Sequence, residues 1–178
     1  ERNIMPKVLD YRYSSKEIDF SIATKSRSEK NDCSVRAIAT AVGVDYNNAH
    51  TYMRKVLKRE NKKGAVNMVG NILRASKKKN PIQKIADTEF EYEYIPRTKL
   101  KNIYKVHGKK IARRKTVKSF IDTYREGTYL VFVSNHVFTV KDGVLIDNAG
   151  EEFRPTRKVI DAVKVNVKEN VKQLEFKF

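Results

Sequence analysis

The chain has 178 residues, 40% of them apolar, with 38 Lys and Arg against 21 Asp and Glu and a net charge of +17. That length supports one ordinary domain with a core, and nine Tyr and eight Phe agree with a globular protein. A single Cys excludes an internal disulfide framework and a Cys-rich zinc site, and no apolar run of about 18 residues is present to form a transmembrane helix.

In chain order, residues 1–32 read as irregular, with strand-like pieces at 7–13 and 18–23 and a polar loop over 24–30 that leads to Cys33. A helix is expected from Cys33 to about Val42, buried along Ala37, Ile38 and Ala41 and stopped by Gly43. A second helix, capped by Val44 or Asp45, is expected over 46–60, with a core stripe of Tyr46, Ala49, Met53, Val56 and Leu57. A third is expected over 65–76 on Val66, Val69, Ile72 and Leu73, and the lysines after it read as a solvated cap.

Residues 88–95 alternate as a half-buried strand, with Phe90, Tyr92 and Tyr94 on one side and Glu89, Glu91 and Glu93 on the other. Residues 97–118 then hold ten Lys or Arg and no Asp or Glu. They read as a phosphate-tracking loop, a solvated connector, or a contact with an acidic neighbour. The candidate contacts are Lys105, Lys109, Lys110, Arg113, Arg114 and Lys115, while His107 reads as an exposed loop residue. An amphipathic helix is expected over 116–125, ended by Gly127, and a strand meander over 127–149. After a polar connector at 154–158, a last strand is expected over 159–167, followed by a Lys-rich tail. Helices followed by an antiparallel sheet give an α+β fold, read as a single domain over 1–178 with polar arms at about 1–30 and 150–178.

Two stretches carry possible chemistry. Asn31-Asp32-Cys33-Ser34 puts the thiol at the mouth of a helix, where the dipole favours thiolate and unpaired N–H groups can receive an oxyanion. About a hundred residues on, His136 starts a strand, and Asp142-Gly143 turns the chain into Val144-Leu145-Ile146-Asp147-Asn148. If that turn has two residues, Lys141 pairs with Val144 and Phe138 with Asp147. Then His136, Phe138 and Asp147 share a face and Asn148 points away. A loop one residue longer would bring Asn148 round instead; Asp147 is favoured. Against this stands the plain alternative that Cys33 is a small core residue. His50 lies within a helix and is the weaker candidate base.

Cys33, His136 and then Asp147 or Asn148 resemble, in order and context, the papain-like cysteine peptidase superfamily, in which a Cys opens the central helix, a His starts a strand and an Asn or Asp follows. The resemblance covers mainly residues 31–50 and 127–149. It implies a papain-like fold, with the first helix carrying Cys33 and packing on a C-terminal antiparallel sheet. It also implies acyl transfer with Cys33 as nucleophile, His136 as general base and then acid, Asp147 fixing the tautomer, and no metal or organic cofactor. The family places a Gln six residues before the Cys, where this chain has Arg27; Asn31 is the alternative amide donor to the oxyanion. Small basic proteins with an Asn-Asp-Cys helix start also look like those encoded by tailed bacteriophages.

Three readings follow. The first is a thiol peptidase or amidase acting on a protein. The second is a catalytically inactive papain-like scaffold serving as a basic virion or structural protein. The third is a nucleic-acid-binding module with an incidental Cys. The corresponding partners are a protein substrate, an assembly neighbour with an acidic surface, or nucleic acid, with no membrane. The expected location is a host cytoplasm or a phage virion, since no secretion signal is seen.

Overall fold

The computed structural model describes residues 31–60, 62–147 and 156–168. The expected strand-like pieces at 7–13 and 18–23, Arg27, Asn148 and the tail beyond 168 lie outside the described residues.

Among the described residues, four α-helices form where apolar residues recur at helical spacing: α1 (Cys33–Val42), α2 (Tyr46–Lys55), α3 (Met68–Ser76) and α4 (Val117–Thr123). α1 begins and ends as expected, and Gly43 closes it in the left-handed region at φ 76°, where other residues are strained. α2 starts at the Asp45 cap, whose carboxylate accepts from the Asn48 N–H at 2.8 Å. It stops short of the expected residue 60. Lys58 turns to φ 59°, and the Arg59 N–H bonds back to the Met53 carbonyl at 2.9 Å. α3 starts later than expected because Asn67, at φ 55°, breaks the helical path.

The described residues also form eight strands, β1 (Gln83–Ile85), β2 (Thr88–Tyr94), β3 (Lys101–Val106), β4 (Lys109–Arg114), β5 (Thr128–Val133), β6 (His136–Lys141), β7 (Val144–Ile146) and β8 (Asp161–Val167). Six of them form one antiparallel sheet in the order β1-β2-β8-β5-β6-β7. The fold is therefore α+β. The expected last strand forms as Asp161–Val167, inside the stretch read as a polar C-terminal arm. It is largely buried between β2 and β5, sending Val163 and Val165 to one face and Ala162 to the other.

Both faces of the sheet are covered. α1, α2 and α3 pack with Leu130, Val163 and Val165 on one side, and α4 packs with Val131, Val140 and Ala162 on the other. Each fully buried aliphatic side chain contributes about 1.5–3 kcal/mol. One polar contact fixes how α1 sits on the sheet: Thr139 Oγ1, fully buried in β6, donates to the Ala37 carbonyl at 2.8 Å. Among the described residues, no helix is long and apolar enough to cross a membrane.

The basic stretch is not the loop expected. β3 and β4 pair with each other as a separate two-stranded ribbon, turned at His107 and Gly108, which take φ 47° and 75°. Its base is tied to α4 by Asn102, whose Nδ2 donates to Ser119 Oγ at 2.8 Å. Lys115 is also corrected. It is only 8% exposed, and its Nζ donates to Asn102 Oδ1 at 2.6 Å and Thr123 Oγ1 at 3.1 Å, so it braces the ribbon base and is withdrawn from any surface contact.

Candidate active site

Cys33 is the first residue of α1, and its neighbour Asp32 occupies the cap position. An Asp there normally caps the helix by accepting from its free N–H groups. Here the Asp32 side chain makes no cap bond, because Oδ2 accepts from Arg36 Nε at 3.0 Å and from the Tyr46 hydroxyl at 2.8 Å. The cap carboxylate therefore braces the loop before Cys33 and makes no cap bond to the first turn, where the Ser34 N–H serves the thiol instead.

His136 is set by two tight turns. Ser134 and Asn135, the latter at φ 57°, join β5 to β6 and pair Val133 with His136. Asp142 and Gly143, at φ 47° and 77°, then make the two-residue turn into β7, with Lys141 opposite Val144 and Thr139 opposite Ile146. Positive φ at both turn residues matches the twist of the paired strands, which is why Asp-Gly suits it. Continued by one step, this register puts Asp147 opposite Phe138, on the face of His136. Asp147 Oδ2 accepts from His136 Nε2 at 2.8 Å. Asp147 is buried and His136 nearly so, which screens the pair little and strengthens its bond.

With Nε2 held by Asp147, Nδ1 is the ring nitrogen left for Cys33, and the thiol and imidazole are hydrogen-bonded. Burial raises the pKa of Cys33. The bond to His136, the N–H groups of Val137 and Ser34 and the His136 charge outweigh it, so the thiol lies below its ordinary value. His136 is raised to about 9, first by its bond to Asp147 and then by its bond to Cys33, against the opposing effect of burial. The two shifts run in the directions that favour a thiolate–imidazolium pair over the neutral couple. Phe138, its ring 6.1 Å from that of His136, walls the imidazole.

The pair opens on a cleft of about 1130 Å³. Asn31, in left-handed backbone at φ 54°, lines it beside Cys33. One wall is the loop and start of α3, including Val66, Met68 and Val69, and the other includes Tyr94, Arg97 and Phe132. The second wall is held by buried Asp161, which accepts from Arg97 Nε at 2.9 Å, Arg97 Nη2 at 3.0 Å and the Tyr94 hydroxyl at 2.8 Å. Among the described residues, no group of three or more His, Cys, Asp or Glu is placed to hold a metal ion.

Cys33, His136 and Asp147 are thus brought together, with Asn31 in the same cleft. His50 is buried in α2 with its ring 6.2 Å from Tyr46, and His107 sits exposed at the ribbon tip. Sequence reasoning missed Thr139, Asp32 with Tyr46, and the Asp161–Arg97 wall. A lone Thr in an apolar strand was the one available signal; the wall joins residues 64 apart with no shared motif. Comparison with protein-family models, with curated proteins and with solved structures finds no match.

Proposed function

We propose that the protein is a thiol peptidase or amidase of papain-like type acting on a protein substrate. The observation that carries this reading is that Cys33, His136 and Asp147 meet in one place, with the His136–Asp147 bond at 2.8 Å and the thiol pKa lowered, at the edge of an open cleft. A core cysteine needs none of these features.

The reaction follows from the groups. The Cys33 thiolate attacks the carbonyl carbon of an amide, and the carbonyl oxygen takes the charge. The Cys33 N–H and the Asn31 amide supply donors to that oxyanion, in place of the Gln that the family resemblance calls for. Protonated His136 gives its Nδ1 proton to the departing amine, leaving a thioester on Cys33. His136 then takes a proton from water, whose oxygen attacks the thioester, releases the acid and restores the thiolate. Asp147 holds the ring orientation throughout.

The test uses an unfolded protein and a panel of fluorogenic peptide amides. Hydrolysis by the wild type that is lost in Cys33→Ala, with circular dichroism unchanged, is the expected result. Full activity in Cys33→Ala would refute the reading.

A further inference from the structure

The β3–β4 ribbon is not used by the chemistry above, and its composition is unusual for a solvated hairpin. Its two strands carry six cations, Lys101, Lys105, Lys109, Lys110, Arg113 and Arg114, and no carboxylate. Cross-strand partners put Lys101 opposite Arg114 and Lys105 opposite Lys110. Like charges directly opposite are destabilising, so the ribbon forms with built-in repulsion that an anionic partner would relieve. Large apolar side chains also face solvent, with Ile103 70% exposed, Tyr104 48% and Val106 40%.

Strand alternation distributes the charge on both faces. Lys101, Lys105, Lys110 and Arg114 share one face with Ile103, while Lys109 and Arg113 share the other with Tyr104 and Val106. An acidic protein surface would meet one face only. A ribbon lying in the major groove of duplex DNA has phosphates along both sides and base edges before it. Six residues per strand span about 20 Å, and the groove, about 12 Å wide, admits a two-stranded ribbon. The deep, narrow major groove of an RNA duplex does not. Ile103 and Val106 supply apolar contacts where phosphate-binding cations cannot.

We propose that the β3–β4 ribbon is a DNA-binding arm that enters the major groove of a duplex, holding it chiefly through phosphate contacts. This inference is independent of the Cys33 site.

The experiment measures binding of the full chain to a labelled 20-base-pair DNA duplex by fluorescence anisotropy between 50 and 300 mM salt (roughly the range over which phosphate contacts are lost). RNA duplex and polyglutamate serve as competitors. Each phosphate contact contributes about −0.9 to the slope of log K against log salt, so Lys105→Ala/Lys110→Ala/Arg114→Ala should flatten the slope by about 2.7. That variant removes like-charge repulsion, so it should stay folded, checked by an unchanged rate of Cys33 alkylation. Ile103→Ala should weaken binding with the slope unchanged. The proposal is overturned if the duplex does not bind, if the triple variant leaves the slope as it was, or if RNA duplex or polyglutamate competes as well as DNA.

Discussion

Thr139 Oγ1 donates to the Ala37 carbonyl at 2.8 Å across 102 residues of chain, joining the strand that begins with His136 to the helix that begins with Cys33. Ala37 lies four residues along the helix from Cys33 and Thr139 three residues along the strand from His136, so the contact bears on how far the thiol stands from the imidazole. Thr139→Val keeps the shape and loses the donor. It should cost about 1 kcal/mol in urea unfolding. The sharper readout is the thiol, whose pKa should rise toward the free value of about 8.5. A variant with lowered stability and an unmoved thiol would show Thr139 to be structural only.

The pH–rate profile separates the two members of the pair. With Cys33 lowered and His136 raised to about 9, kcat/KM should rise through the thiol ionisation below about 8.5 and fall as His136 deprotonates near 9. In Asp147→Asn the orienting group remains but its charge is lost, so the falling limb should shift down toward the ordinary histidine value of about 6.5. Asp147→Ala should lower kcat by roughly 10²-fold or more, since the ring then loses its orientation as well.

Stability should carry the same signature. A raised His136 means the folded state keeps a proton that the unfolded chain has lost, between about 6.5 and about 9. Its contribution is therefore complete below about 6.5 and is lost as pH rises through about 9. The lowered thiol acts in the opposite direction, so the measurement belongs in Cys33→Ala. There, unfolding free energy should fall with rising pH above about 6.5, by at most about 1.4 kcal/mol per unit, over a window that closes below about 9 because the Cys33 bond no longer helps hold the proton. The fall should be absent in Cys33→Ala/His136→Gln.

The Asp142–Gly143 turn is predicted to control catalysis from the far end of the hairpin. Gly143 sits at φ 77°, where a β-branched residue is strained. Gly143→Val should cost about 1 kcal/mol or more and loosen the register that puts Asp147 beside His136, lowering kcat more than it changes KM. Unchanged kcat in a destabilised variant would uncouple the turn from the site.

How much of this was legible in the sequence depended on whether the signal was local. The limits of α1 follow from an apolar stripe and a glycine stop, and the choice of Asp147 follows from a two-residue turn and strand alternation. The ribbon was hidden because both of its faces meet solvent, so Lys101–Val106 and Lys109–Arg114 lack the apolar–polar alternation that marks a half-buried strand. Lys115 could not be told from its basic neighbours, since its burial depends on Asn102 and Thr123 closing around it. The insertion of β8 between β2 and β5 is a matter of strand order, which no local pattern specifies.

The most direct test of the account is the pH dependence of Cys33 alkylation by iodoacetamide, read by intact mass. With a single cysteine in the chain, every adduct reports this site. The account predicts a thiol that titrates below about 8.5 and moves upward in His136→Ala. A thiol that titrates at or above that value in the wild type, and does not respond to loss of His136, would contradict it and leave Cys33 as a core residue.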